Sequence, residues 1–422
     1  MRFYKKILPN GLRVISVPLK ESLTSTVLVM VEAGGKYEEK KEGGISHFLE
    51  HMIFKGTEKR KKSMDISLDF DKLGAQSNAM TSYEWTGYFA KAHNRHLGKL
   101  MEILSDMYIN PTFPEVEIEK EKGVIIQEIK RDEDLPSRNV LRIFMELLYG
   151  DQPAGRSILG EEKMIKGVTR ENFLNYRKRN YVSSATTVIV AGDIDYKKIE
   201  SQVGHYFGSL PNTKKDNKPK VADGQKFPKI LVKRKKTAQS HFILGFRAYP
   251  NKHPNIPTLK VLDAILSSGM SSRLWQKMRE ELGICYYVKS FLADYSDHGI
   301  FAVASGVDSK RVKVAINAVL DEFKKLKIKD VSSEELEKAK ESLISNFFME
   351  NEKSDELAFY FGEQEIMKQK IKTPEEVEKE IRKVTPTQIR KVAKEIFNNK
   401  SLNLAIIGDI KDEKTLLKLL KV

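Results

Sequence analysis

The sequence predicts an α+β protein of two homologous domains, each a mainly antiparallel sheet with helices packed on one face. Three observations carry this expectation. The chain repeats itself at long range: the strand pattern SSATTVIVAGDI (183–194) returns near the C-terminus as SLNLAIIGDI (401–410). A polar, lysine-rich stretch with three prolines, LPNTKKDNKPKVADGQKFPK (210–229), separates the two copies. Within each copy, strand patterns and helical patterns run in groups, without the strict strand–helix alternation of a parallel α/β sheet. A repeat this long is a domain duplication, not a solenoid. The expected division is therefore a first domain over 1–209, an extended linker over 210–229 and a second domain over 230–422.

Bulk composition narrows the class. At 422 residues the chain exceeds one ordinary core, and 40% hydrophobic with 31% charged residues describes a folded globular protein. No apolar run is long enough to span a bilayer, so no membrane association is expected. A single cysteine, Cys285, excludes an intramolecular disulfide and suits a cytoplasmic location. The net charge of +15 raises the question of a nucleic-acid partner. The lysines, however, are mixed with glutamates along amphipathic segments, the pattern of solvated helix faces. The densest basic stretch, 213–236, lacks the interleaved aromatics that stack on bases, so no nucleic acid is expected.

Taken in order, MRFYKKILPNGLRVISVPLK (1–20) reads as two short strands around the turn Pro9-Asn10-Gly11. Its basic start lacks the apolar stretch and cleavage site of a signal peptide. TSTVLVMVEA (24–33) is a strand matched in the second half by QSHFILGFRA (239–248). Each is followed by a helix that closes on glycine, GISHFLEHMIFKG (44–56) and IPTLKVLDAILSSG (256–269). QSNAMTS (76–82) reads as a further strand, and 96–109, 114–133 and 310–326 have helical periodicity. Finally, IEKEKGVIIQEI (118–129) pairs with LEKAKESLISNF (336–347).

The segment GGISHFLEHMIFKGT (43–57) carries the chemistry. His47 and His51, two of eight histidines, are four positions apart and project from one face of a helix, with Glu50 beside them. One helical turn can thus supply two nitrogen ligands to a metal, and an adjacent carboxylate can take a proton from water. The alternative is a pair of helix histidines packed in the core. H-x-x-E-H is the inverzincin arrangement, which requires a third protein ligand. Glu121 and Glu128, seven residues apart on the 115–131 helix, share a face beside apolar Val124, Ile125 and Ile129. Spacing alone leaves either one equally readable as a surface glutamate.

These residues, with NAMTSYEWTGYFAKA (78–92) and EKGVIIQE (121–128), resemble the pitrilysin-type zinc metallopeptidases, which include insulin-degrading enzyme and the mitochondrial processing peptidase. The likeness spans the whole chain, including its duplication. It implies His47, His51 and Glu128 as ligands of one Zn²⁺ per chain, Glu50 as general base and Glu121 as a supporting acid. It also implies that Asn78, Ala79 and Thr81 lie on an edge strand that pairs with a peptide substrate. In SSGMSSRLWQKMREELGICYYVKSF (267–291) it implies that Arg279 and Tyr286 bind substrate carbonyls, with Tyr287 as the alternative register. Anchored on Gly56 and Gly269, the second half has Lys260, Asp263 and Ala264 where the first has His47, Glu50 and His51. Ala339 and Asn346 stand for Glu121 and Glu128, so the second domain is expected to lack the metal.

Two-domain members of the family close a chamber by pairing. The expectation is thus a zinc endopeptidase acting inside two half-shells, as a homodimer or with a sister subunit. Two other readings remain: a non-catalytic assembly subunit of the same fold, and a basic binding module with structural zinc. A structural zinc site normally has four protein ligands and no free acid beside it, which disfavours the last.

Overall fold

In a computed structural model describing residues 1–422, the strand patterns form two sheets with the same wiring. The first contains β1 (Tyr4–Ile7), β2 (Arg13–Pro18), β3 (Thr24–Val31), β4 (Gln76–Thr81), β5 (Thr86–His93) and β6 (Thr186–Gly192). Their order is β1-β2-β6-β3-β5-β4. The second contains β7 (Lys229–Arg234), β8 (Ser240–Ala248), β9 (Cys285–Asp294), β10 (Gly299–Val307) and β11 (Leu402–Gly408). Its order, β7-β11-β8-β10-β9, is that of the first sheet without β1. Only β2/β6 and β7/β11 run parallel; every other pair is antiparallel, as the sequence predicts.

The repeated Gly-Asp-Ile strands, β6 and β11, are buried along their whole length. Each lies between two neighbours and is covered on both faces, so its sequence is a continuous apolar run instead of an alternating one. The β1–β2 hairpin turns where expected. Gly11 takes φ 87°, a left-handed conformation that favours glycine, and Asn10 Oδ1 accepts from Leu12 N–H at 3.1 Å.

One face of the first sheet carries the helices Ile45–Ile53, Leu97–Ile109, Arg170–Asn180 and Tyr196–Phe207. Phe48, Leu49, Met52, Leu104, Phe173 and Phe207 fill that core. The second sheet carries Ile256–Ser267, Val312–Ile328 and Pro386–Ile396 in the same way, around Leu259, Leu262, Phe323 and Ile389. Full burial of each such side chain is worth about 1.5–3 kcal/mol.

The units that result are discontinuous in sequence. The first comprises Met1–Lys130, Arg156–Pro219 and Glu350–Thr373; the second, Arg131–Gly155, Lys220–Met349 and Pro374–Val422. Each therefore takes one helix from the other half of the chain. Ser354–Ile366 covers the second face of the first sheet, burying Leu357, Ala358 and Phe361 against Ile15, Leu28, Met30 and Ile189. It is fixed there by Thr26–Ser354 (2.9 Å) and Lys91–Asp355 (2.7 Å). A Cβ on Gly362 would lie 2.6 Å from Met30 Sδ, so any larger residue there would have to displace the buried Met30 side chain. Pro136–Tyr149 plays the same part on β8 and β11. Residues 211–226 form neither helix nor strand, and one of the crossings between the units falls after Pro219. No helix is long and apolar enough to cross a membrane.

Candidate active site

The Ile45–Ile53 helix starts at Gly44, φ 92°, where a Cβ would meet Leu159 O at 2.7 Å and Gly160 Cα at 2.8 Å. Only glycine fits that approach. The first N–H groups of a helix lack internal acceptors; here Glu38 serves, accepting from Gly44 N–H and Ser46 N–H, both at 2.8 Å. Burial pushes the Glu38 carboxyl up to about 7, against the pull of these bonds. Phe48, Leu49 and Met52 face the core, which leaves His47, Glu50 and His51 on the half-buried side.

The Glu115–Asp134 helix brings its carboxylates to that side. Glu128 Oε2 lies 3.7 Å from His47 Nε2 and 3.7 Å from His51 Nε2. Ligand atoms of the three residues all fall within 4.8 Å of one another. A separation of 3.7 Å is too long for a hydrogen bond. It is close to the roughly 3.4 Å between two ligands that share a tetrahedral ion at about 2.1 Å. The donor set therefore fits a zinc ion.

Glu121 occupies a different place. Its Oε1 is 2.8 Å from His51 Nδ1, and its Oε2 takes Lys55 Nζ at 2.6 Å. The carboxylate thereby holds the His51 proton on Nδ1 and leaves Nε2 with its lone pair towards Glu128. Burial alone would raise the Glu121 pKa, but the His51 and Lys55 hydrogen bonds outweigh it and hold it below the usual value. For His51, burial is likewise outweighed by Glu121, Glu128 and Glu50, and its pKa is raised. His47 behaves oppositely: burial and the neighbouring His51 charge bring it down to about 4, so it is neutral near pH 7. His47 Nδ1 is buried without a hydrogen-bond partner.

Glu50 accepts a 2.5 Å hydrogen bond from Thr81 Oγ1. Burial raises its pKa, and Thr81 and His51 oppose that rise. Thr81 ends β4, the edge strand of the sheet. On the same strand Ala79 is buried, while Asn78 is exposed and its Oδ1 accepts from Ala79 N–H at 2.9 Å. The first unit thus gathers His47, His51, Glu128, Glu50, Glu121 and Thr81 around one place.

Arg279 and Tyr286 lie in the second unit. Arg279 lies within a π-helical turn, Gln276–Glu281, and donates from Nη1 to the carbonyls of Cys285 (2.8 Å) and Tyr286 (3.4 Å). Tyr286 is 72% exposed, whereas the Tyr287 hydroxyl is 3.1 Å from His241 Nδ1. Of the two tyrosines that the sequence left open, Tyr286 is exposed and Tyr287 half-buried. In the duplicated layer Asp263 is anchored by Ser290, and burial pushes it up to about 6. Ala339 packs in the core there.

Glu38 and Lys55 were not picked out by sequence reasoning. Lys55 was within reach of it, since it stands four residues after His51, one turn further along the same face. Glu38 lies in a loop, where no periodicity points to it.

Residues 13–162 match the family model described as insulinase (peptidase family M16), and residues 167–343 match the model described as the peptidase M16 inactive domain. The chain is 34% identical to an "uncharacterized zinc protease" of Rickettsia felis, over 95% of this chain and 96% of that one. It is 32% identical to another of that description from Bacillus subtilis, over 92% and 94%. With the mitochondrial-processing peptidase subunit beta of Mus musculus it shares 31% identity, over 96% of this chain and 84% of that one. A crystal structure of a protease from Helicobacter pylori has the same fold, with a TM-score of 0.89 at 23% identity, over 96% and 99% of the two chains.

Proposed function

The chain belongs to peptidase family M16, and from that membership we propose that it is a zinc-dependent endopeptidase, with one Zn²⁺ held by His47, His51 and Glu128. The observation that carries this is the approach of both histidine Nε2 atoms to one Glu128 oxygen at 3.7 Å, with a free carboxylate, Glu50, on the same helix face. Zinc there would supply the positive charge that polarises a scissile carbonyl and lowers the pKa of water.

The chain's own residues do the rest. Glu50, whose pKa burial raises, accepts the proton of the attacking water and delivers it to the leaving amine. Glu121, itself held by Lys55, keeps His51 in the tautomer that leaves Nε2 unprotonated. The substrate lies along the free edge of β4 at Asn78, Ala79 and Thr81, gripped through main-chain hydrogen bonds and hence with loose sequence preference. Thr81 joins that edge to the base, so substrate and proton acceptor share one support. Arg279 and Tyr286 supply one cationic and one neutral donor to substrate carbonyls.

Peptides or unstructured segments enter a chamber closed by two half-shells. A relative of similar length is named as a subunit, which supports assembly with a second chain, a homodimer being the simplest case. The test is zinc analysis of the purified protein together with digestion of a mixed peptide library, with and without chelator. Stoichiometric zinc and chelator-sensitive internal cleavage are expected. Bound zinc without hydrolysis would overturn the enzymatic reading in favour of an assembly or binding role.

A further inference from the structure

Between 211 and 220 the chain has no regular structure and most of its side chains are exposed, yet Lys215 and Lys218 are withdrawn from solvent, three residues apart. Both reach buried carboxylates. Lys215 pairs with Glu32, which Arg13 also meets at 2.9 Å. Lys218 pairs at 2.7 Å with Glu84, which takes Lys36 at 2.9 Å. Between them, Asp216 meets Arg179 Nε at 3.2 Å, and Arg179 Nη2 forks onto both oxygens of Glu42, at 2.9 and 2.8 Å.

The partners are not scattered. Glu32, Lys36 and Glu42 belong to the run from the end of β3 into the His47–His51 helix, and Glu84 belongs to the β4–β5 turn directly after Thr81. The run and the turn are themselves joined, by Gly35 N–H to Ser82 O (3.2 Å) and Lys36 N–H to Tyr83 O (2.8 Å). Both supports of Glu50 therefore meet at Glu84: the segment that enters its helix, and the turn that places the Thr81 hydroxyl on it. Burial would raise the Glu84 pKa, but Lys218 and Lys36 outweigh it and keep the carboxylate charged. Lys36 already gives Glu84 a buried counter-charge, so removing Lys218 does not leave that carboxylate without a cation.

We propose that Lys218, acting through Glu84, is a positioning residue for Glu50, and that residues 211–219 form a strap whose seating sets the geometry of the proteolytic site. This rests on the endopeptidase reading above. Without Lys218, Glu84 keeps its pair with Lys36 but loses its tie to the strap, so the turn is held from one side only. Misplacement of reacting groups by about 1 Å costs on the order of 10²-fold in rate, so a partial loss is expected.

The test compares wild type with Lys218→Met, Lys218→Arg and, as an exposed neighbour, Lys214→Met. The readouts are kcat and KM on a cleaved peptide, zinc retention against a chelator, and amide hydrogen exchange. Lys218→Met is expected to lower kcat by about 10- to 100-fold with KM nearly unchanged and zinc retained. Exchange should quicken over 34–44 and 82–85 alone. Lys218→Arg should restore most of the rate, and Lys214→Met should behave as wild type. An unchanged kcat, a loss that arginine does not rescue, or faster exchange throughout the first unit would overturn the proposal. Should Lys218→Met not fold, Asp216→Ala on the exposed part of the strap should reproduce the kcat loss from the Glu42 side, and its failure to do so counts against the strap. A wild type without peptidase activity would refute the endopeptidase reading, while the exchange pattern would still decide the clamp.

Discussion

Replacing Glu121 and Glu128 in turn by glutamine tests the proposed division into metal ligand and support, because the two carboxylates sit differently on one helix. Glu121 meets His51 Nδ1 at 2.8 Å, whereas Glu128 lies 3.7 Å from both Nε2 atoms. In Glu121→Gln the amide oxygen still accepts the His51 proton, so the bond is weakened and not lost. A charge-assisted hydrogen bond contributes about 1.5–3 kcal/mol and a neutral one about 0.5–1.5 kcal/mol. The difference, about 1–1.5 kcal/mol, corresponds to zinc held roughly 5- to 15-fold more weakly. Lys55 is not stranded by the change, because its side chain is partly exposed and water can replace the lost carboxylate. Activity falls further, by about 10- to 100-fold, because His51 is less firmly oriented. Glu128→Gln removes an anionic donor itself, and its loss of affinity should exceed the roughly 100-fold limit of outer-partner substitutions. Competition with a chromogenic chelator, followed by metal analysis of the protein, measures both. Equal zinc retention in the two variants would refute the assignment on this helix.

Glu50→Gln keeps the size of the side chain and removes the basic oxygen, so zinc content should match wild type while peptide turnover drops by about 10²-fold or more; near wild-type cleavage would remove Glu50 as the base. If the chain pairs with itself as proposed, mixing Glu50→Gln chains with Arg279→Ala chains tests whether one chain's donors serve the other's site: with free exchange about half the dimers would be mixed, each with one intact site, so roughly a quarter of wild-type activity should return. No recovery despite demonstrated exchange would place both groups in one chain's site or take Arg279 out of the mechanism. Glu38 predicts a pH effect. Its carboxyl is raised from 4.5 to about 7 on folding, so the folded state binds the proton more tightly and that stabilisation is lost as pH rises from about 4.5 to 7. Relative to Glu38→Gln, which does not titrate, wild type should lose up to about 3 kcal/mol across that window. Denaturant midpoints of both proteins from pH 4.5 to 8 measure it, and a constant difference would mean that folding does not raise the Glu38 pKa.

The layered fold and the HxxEH helix were legible because both are written in local periodicity. A four-residue spacing places His47 and His51 on one face whatever lies around them, and the repeated Gly-Asp-Ile strands advertise the duplication. The edge position of QSNAMTS was supplied by resemblance, and the sheet order bears it out, with β4 outermost. The linker was legible only as composition: its prolines and lysines mark a segment without regular structure, but nothing in them says that Lys218 reaches Glu84.

By itself the sequence determined the class, the doubling, and which helix presents two histidines and an acid together. Tertiary structure decided everything that depends on residues far apart in the chain. It set Glu128 against both imidazoles and Glu121 against Nδ1 alone, exposed Tyr286 while turning Tyr287 to His241, and gave the Ser354–Ile366 helix to the first sheet. The physical reason is the range of the forces that decide each feature. Helix and strand faces follow from backbone geometry within a few residues. The direction of a buried carboxylate, or the sheet on which a helix rests, is set by which desolvated partner it meets, and that partner is known only once the whole chain has packed.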